Sequence, residues 1–90
     1  MKKRDRLEII NDILELISTR SVKPTQIMYK ANLSHDMLNQ YMNELISKQF
    51  ILENKDKKGQ RTYSLNEKGL NFLRDYKMIK NFVDSYGLNE

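Results

Sequence analysis

Three side-chain amides lie close together near the middle of this 90-residue chain. Asn39, Gln40 and Asn43 fall on the polar side of a segment whose apolar residues recur at helical spacing. An amide carries both a donor and an acceptor, so it can pair with two atoms of an adenine edge in the major groove of DNA. Solvated residues on a helix exterior would give the same pattern, but three amides at successive outward positions favour base contacts.

A second set of residues suits phosphate groups. Lys57, Lys58 and Arg61 lie around a turn in which Gly59 can supply the positive φ that longer hairpin loops need. Cations at a hairpin tip bind phosphate oxygens, although lysines there also keep a sheet edge soluble. Helix N-termini bind phosphate as well. The side chains expected to contact the DNA backbone are Thr25, Gln26, Tyr29, Lys30, Ser34, His35, Lys57, Lys58 and Arg61.

The amides require a helix and a support for it. A short helix is predicted over residues 25–31, directly after Pro24, because the N–H that proline lacks has no partner in a first turn. A second helix is predicted over residues 34–48, with Ser34 as its N-cap. Its apolar stripe consists of Leu38, Tyr41, Met42, Leu45 and Ile46. Two helices joined by a tight turn are typical of a helix-turn-helix.

The flanking segments predict the rest of a winged domain. Residues 5–19 form an amphipathic helix whose apolar stripe is wide enough to indicate burial on two sides. Val22 suggests a short strand before Pro24. Residues 50–54 and 61–65 predict two strands of a hairpin, the second with clean alternation of apolar and polar residues. A hairpin with a basic tip that directly follows a recognition helix is a wing.

A long last helix is predicted from an Asn66 cap to about Tyr86, where Gly87 ends it. One side of it has apolar residues spaced alternately by four and three, which is the seam of a short coiled coil. The residues predicted to form a dimer interface are Phe72, Tyr76, Ile79, Val83 and Tyr86. Leu70 and Leu73 lie off this seam and are expected to pack on the first helix. The alternative is that the whole helix folds back within one chain and leaves Phe82 and Tyr86 partly exposed.

The predicted fold is mostly α with a small β-hairpin (α+β). A winged helix-turn-helix domain over residues 1–65 is followed by a dimerisation helix in residues 66–90, and the two form a single structural unit.

Composition restricts the possible functions. A net charge of +4 and a pI near 9.4 suit a nucleic-acid binder. The chain has no cysteine, which excludes a thiolate site. Its single histidine, His35, is already assigned to a helix N-terminus, so we expect no Ser-His-Asp triad. We expect no enzyme activity, no metal and no cofactor. No segment resembles a signal peptide or a membrane span, and we expect a soluble, cytoplasmic protein.

Three segments resemble a known family: residues 26–34 (QIMYKANLS), 63–69 (YSLNEKG) and 72–76 (FLRDY). They are similar to the small archaeal winged-helix proteins described as predicted transcriptional regulators, and the resemblance extends over residues 4–83. Chromatin-associated members of that family dimerise through an antiparallel coiled coil formed by the last helix. The resemblance therefore implies a homodimer with two winged-helix heads on a coiled-coil rod, bound to double-stranded DNA.

The sequence thus predicts a homodimeric, nucleoid-associated transcriptional regulator. Its recognition helix, residues 34–48, would enter the major groove, and its basic wing would lie on the backbone or in the minor groove. That helix has no arginine on its outward face, which argues against direct reading of guanine. Two alternatives stay open. One is a non-specific architectural chromatin protein, and the other is a winged-helix module that binds protein, which Asp36 and Glu44 favour because acids repel phosphate.

Overall fold

The computed structural model describes residues 4–19 and 22–88. Its elements are, in order, α1 (Arg6–Thr19), α2 (Pro24–Ala31), α3 (His35–Ser47), β1 (Ile51–Lys55), β2 (Arg61–Leu65) and α4 (Glu67–Ser85). The predicted order of elements is confirmed, and so is the fold class, which is mostly helical with one two-stranded antiparallel hairpin. No helix within the described ranges combines the length and the apolar character needed to cross a bilayer.

Helix α1 lies at the centre of the core. Ile13 and Leu14 have no exposed surface, and α1 packs against α2, β2 and α4. Burial on more than one side is what the wide apolar stripe predicted. Each aliphatic side chain buried in this way contributes about 1.5–3 kcal/mol, so α1 is a main support for α2, β2 and α4. The core residues are Ile9, Ile10, Ile13, Leu14, Ile17, Val22, Ile27, Ala31, Leu33, Leu38, Met42, Leu45, Ile51 and Tyr63.

The turn between α2 and α3 is closed by backbone hydrogen bonds. Asn32 adopts a left-handed conformation (φ 56°), and the next N–H, that of Leu33, donates to the Met28 carbonyl at 3.0 Å. Ser34 then begins α3, and its hydroxyl accepts a bond from the Met37 N–H at 3.2 Å. Arg4 adds a side-chain contact, since its guanidinium donates to the Ala31 carbonyl at the end of α2. This turn therefore fixes the angle at which α3 leaves the core.

The hairpin is joined to the core on one side. Tyr63 on β2 is 4% exposed, and its N–H donates to the Val22 carbonyl at 3.2 Å, so the predicted short strand at Val22 is a single bridge to the hairpin. In the ladder Ile51 pairs with Leu65 at the core end and Lys55 with Arg61 at the tip. The buried end thus anchors the wing, and the tip projects from it.

Helix α4 begins against the end of α3. The side chain of Asn66 accepts a bond from the Glu67 N–H, which is the predicted cap. Gly69 is buried, and a β-carbon there would lie 2.4 Å from the Phe50 carbonyl oxygen, so only glycine allows this approach. Lys68 donates to the Lys48 carbonyl at 3.0 Å and caps the end of α3. These contacts set the direction of α4 relative to α3.

Candidate nucleic-acid interface

The three predicted base-contacting amides share one side of α3. Asn39, Gln40 and Asn43 are all exposed, whereas Leu38, Met42 and Leu45 on the opposite side are buried. With Asp36 and Ser47, which are also exposed, the amides form what we call the α3 surface. Within the described chain the Gln40 and Asn43 amides make no hydrogen bond, and the Asn39 amide nitrogen lies 3.3 Å from His35 Nδ1. The hydrogen-bonding groups of Gln40 and Asn43 therefore remain available to a ligand.

Met37 borders the α3 surface. Its side chain is 40% exposed in the first turn of α3, one turn before Gln40 and outside the buried stripe. Met37 had no predicted role. The available signal was an apolar residue out of register with the stripe at Leu38, Met42 and Leu45.

An acid on the flank of α3 is paired with two cations. The Glu44 carboxylate accepts hydrogen bonds from Lys48 Nζ at 2.8 Å and from the Arg6 guanidinium. The bond from Lys48, followed by the bond and charge of Arg6, holds the pKa of Glu44 below its usual range. The Arg6 guanidinium also lies 5.8 Å from the centre of the Tyr41 ring. Because Arg6 and Lys48 lie next to its carboxylate, Glu44 contributes less negative potential beside α3 than the sequence alone suggested.

The hairpin tip (residues 55–61) presents its cations on an ordered turn. One carboxylate oxygen of Asp56 accepts bonds from the backbone N–H groups of Lys58 and Gln60, both at 2.9 Å. Gly59 has φ 79°, the positive value expected from the sequence. Lys57 and Lys58 are exposed and form no ion pair with any residue in the described ranges. Asp56, which had no predicted role, thus orders the turn on which the two lysines lie.

Arg61 differs from the two lysines. Its Nε lies 3.7 Å from a carboxylate oxygen of Glu53 on the paired strand, so part of its charge is compensated within the hairpin.

The remaining predicted backbone contacts are exposed on α2 and at the start of α3. Tyr29 is 81% exposed, and Thr25 and Lys30 are exposed beside it. Gln26 and Ser34 are exposed too, but their side-chain oxygens accept bonds from the first turns of their own helices, at Lys23 N–H and Met37 N–H. These two residues therefore stabilise helix ends whatever else they contact.

The predicted seam on α4 divides into two parts. Phe72 packs edge-on against Phe50 at 5.9 Å and stacks on Tyr76 at 5.8 Å, so the first part contacts the chain's own core. Burial raises the pKa of Tyr76 above its ordinary value, and the charges of acidic residues on α1 and just before it add to the shift. Leu73 also packs against the core as expected, whereas Leu70 is 54% exposed.

The second part of α4 is free within the described chain. Its large apolar side chains are more than 60% exposed, and Phe82 and Tyr86 contact each other with ring centres 5.0 Å apart. We call this the distal surface; its members are Met78, Ile79, Phe82 and Tyr86. Met78 and Phe82 were not part of the predicted seam. The start of the seam faces the core through Phe72, and the exposed apolar residues farther along α4 include these two beside it.

Relatives of this chain occur in an archaeon. The chain is 36% identical over 67 residues to the uncharacterized protein MJ0290 of Methanocaldococcus jannaschii, a match that covers 74% of this chain and 29% of that protein. It is 42% identical over 55 residues to the uncharacterized protein MJ0287 of the same organism, covering 61% of this chain and 57% of the relative. The chain thus matches about a third of the length of MJ0290 and just over half of the length of MJ0287.

Solved structures share the fold. Sso10a-2, a DNA-binding protein from Sulfolobus solfataricus, superposes with a TM-score of 0.77 at 21% identity, over 93% of this chain and 87% of that one. MepR, a transcription regulator of the Staphylococcus aureus multidrug efflux pump MepA, gives a TM-score of 0.78 at 11% identity, over 87% of this chain and 60% of that one.

A family comparison covers nearly the whole chain. The model of the winged helix-turn-helix family matches residues 3–84, which include every helix and both strands almost to the end of α4. The resemblance seen in the sequence is therefore confirmed, and the chain belongs to the winged helix-turn-helix family.

Proposed function

We propose that the protein is a homodimeric regulator of transcription that binds double-stranded DNA, with α3 in the major groove and the hairpin tip on the backbone or in the minor groove. The observation that carries the proposal is the α3 surface. It holds three exposed amides, two of which have no partner in the described chain, on a helix fixed by a winged helix-turn-helix core. Sso10a-2 and MepR, which share the fold, are respectively a DNA-binding protein and a transcription regulator.

The contacts divide by chemistry. Asn39, Gln40 and Asn43 can pair with base edges, because each amide presents a donor and an acceptor at a fixed spacing. Phosphate oxygens are met by lysines at the hairpin tip and by polar groups at the starts of α2 and α3. The backbone-contact set is the one predicted from the sequence: Thr25, Gln26, Tyr29, Lys30, Ser34, His35, Lys57, Lys58 and Arg61. Within it, Lys57 and Lys58 contribute most, because Arg61 is close to Glu53.

The electrostatics of α3 are compatible with a phosphate backbone. Glu44 would repel DNA if it were unpaired, but Arg6 and Lys48 surround it, and the three side chains together carry one net positive charge. The protein-binding alternative drew support from this acid. That support weakens once the acid is neutralised locally.

A second copy of the chain is the proposed occupant of the distal surface. Four large apolar side chains more than 60% exposed at one end of a helix form a patch that soluble proteins seldom leave in water. The alternation of four and three residues continues through Ile79, Val83 and Tyr86, and it is the spacing that allows two helices to pack along a seam. Phe72 contacts Phe50 of the same chain and Tyr76 stacks on Phe72, so in this dimer the two rings lie at the inner end of the seam.

Selection from a pool of random duplexes at two salt concentrations, followed by sequencing of the retained DNA, tests the DNA-binding proposal. A regulator should retain duplexes that share a motif, and the motif should persist at the higher salt. Equal retention of unrelated duplexes with a steep loss at high salt would identify an architectural protein instead. Retention of no duplex at all would overturn DNA binding and leave the protein-binding module.

Sedimentation velocity tests the dimer. The unmodified chain should sediment as a dimer, and the double variant Ile79→Lys with Phe82→Lys should sediment as a monomer. Leu70→Lys is the matched control, since Leu70 is a similarly exposed apolar residue on α4 but outside the distal surface. A dimer that survives the double variant would place the interface elsewhere, and a monomeric unmodified chain would refute the dimer.

A further inference from the structure

The α3 surface carries no cation. Between His35 and Ser47 the helix has no lysine or arginine, and the cations beside it, Arg6 and Lys48, are held at its flank by Glu44. A guanine edge in the major groove offers two acceptors, and its commonest specific partner is an arginine or lysine that donates to both. The α3 surface therefore lacks the group that reads guanine most strongly.

The groups that are present match adenine. An adenine edge combines one donor, the N6 amino group, with one acceptor, N7, and a side-chain amide complements both. Gln40 and Asn43 are three residues apart, so they are neighbours on the helix surface, and both amides are free of partners in the described chain.

Asp36 limits the choice further. An ionised carboxylate only accepts hydrogen bonds, so next to a base edge it can be satisfied by an amino group but is repelled by the acceptors of guanine and by the thymine O4. Asp36 is exposed in the first turn of α3, beside the amides. It therefore disfavours guanine at the position it faces and accepts from adenine or cytosine.

Met37 supplies a group for the other base of the pair. Its side chain is 40% exposed and lies one turn before Gln40, so a thioether and an amide are adjacent at the edge of the α3 surface. In an A·T pair the adenine edge and the thymine 5-methyl group are side by side in the major groove, and apolar side chains contact that methyl. An exposed methionine next to a free amide thus matches the two halves of one base pair.

We infer that α3 reads A·T pairs in the major groove, with Gln40 and Asn43 on adenine and Met37 on the thymine methyl group. The inference rests on the proposed DNA-binding function and adds the class of sequence that is bound. Met37 becomes a specificity-determining residue: its side chain is 40% exposed, whereas that of Met42 on the buried side of α3 is 4% exposed.

A duplex in which deoxyuridine replaces thymidine tests Met37, because only the 5-methyl groups are removed. By fluorescence anisotropy, the unmodified protein should bind the uracil duplex about fourfold more weakly for each methyl contacted, which corresponds to the burial of one methylene-sized group. Met37→Ala should bind both duplexes equally. Leu70→Ala, which removes an exposed apolar side chain of α4 outside the distal surface, should behave like the unmodified protein. Equal loss in Met37→Ala and the unmodified protein would overturn the role of Met37.

A duplex containing 7-deaza-adenine tests the amides, because it lacks the N7 acceptor but keeps normal pairing. The unmodified protein should bind it about tenfold more weakly. The double variant Gln40→Ala with Asn43→Ala should show no difference, and Asn71→Ala, an exposed amide on α4, should show the full loss. Undiminished binding of both modified duplexes by the unmodified protein, or selection of a G·C-rich motif, would overturn A·T reading while DNA binding stands. Failure to bind any duplex would overturn the proposed function itself.

Discussion

The α3 surface and the hairpin tip are both polar and exposed, but they differ in chemistry and in support. The α3 surface has directional donors and acceptors on a helix that three buried residues hold to the core, Leu38, Met42 and Leu45. The hairpin tip has cations on a turn ordered by the carboxylate of Asp56. A hydrogen bond to a base weakens steeply with misalignment, whereas attraction between charges falls slowly with distance. The helix packed on the core therefore suits base reading, and the projecting hairpin tip suits phosphate binding.

Removal of all three amides is expected to have the largest effect. In the variant with Asn39, Gln40 and Asn43 all changed to alanine, affinity for the selected duplex should fall at least about 100-fold, to that of an unrelated duplex, because each good base contact is worth about 1–3 kcal/mol. The slope of log affinity against log salt should not change, since the lysines that bind phosphate are still present. Anisotropy titrations at several salt concentrations measure both quantities. A flattened slope would mean that the amides act on the backbone, not on bases.

Removal of the tip lysines should have the opposite signature. The variant Lys57→Ala with Lys58→Ala should bind every duplex more weakly by roughly tenfold or more, and its salt slope should fall by about 0.9 for each phosphate that is no longer neutralised. Preference among sequences should stay the same. Lys77→Ala with Lys80→Ala is the matched control, because it removes the same charge from the groove between α1 and α4. If the control weakened binding as much, net charge and not the wing would explain the effect.

The elements could be predicted because their signals are local. The apolar residues of α1 and α3 repeat at helical spacing, and Pro24, Ser34 and Asn66 mark where helices begin. Gly59 and Gly87 both have positive φ, as their positions in turns suggested. In such cases the residue type itself favours one local conformation, a helix start or a positive φ, so the sequence alone predicts it.

Other features depend on which surfaces meet, and the sequence does not contain that information. Gln49 has φ 66° at the end of α3, where glycine would be expected. The pairing of Arg6 with Glu44 joins residues 38 positions apart. Phe72 follows the same spacing as Ile79, but the direction in which α4 leaves Gly69 places Phe72 against the core and leaves Ile79 exposed. Periodicity identified an apolar face without identifying what covers it.

Loosening the hairpin tip while keeping its lysines gives a smaller effect. In Asp56→Ala the N–H groups of Lys58 and Gln60 lose their side-chain acceptor, at about 1 kcal/mol for each bond. Their amide hydrogens should exchange faster. Compared with Asp56→Asn, which removes the same negative charge, duplex affinity should fall, but by less than in the lysine variant. Asp56→Asn keeps an acceptor oxygen and should retain slow exchange. Affinity that fell as far as in the lysine variant would show that the tip requires a rigid geometry, which would erase the contrast with α3.

The smallest effect concerns the flank of α3, because ion pairs this open to solvent contribute little. Since Lys48 and Arg6 lower the pKa of Glu44 in the folded chain, the ionised carboxylate stabilises the fold above its ordinary pKa of 4.5, and this contribution is lost as pH falls through the lowered value. Glu44→Gln should therefore be less stable than the unmodified protein in urea denaturation at neutral pH, and the gap should close as the pH falls through the lowered pKa of Glu44. In a Lys48→Ala background the same substitution should have a smaller effect at neutral pH, because the main partner of the carboxylate is gone. A gap that stayed constant with pH would assign the loss to packing, and α3 would then be held by shape alone, without help from charge.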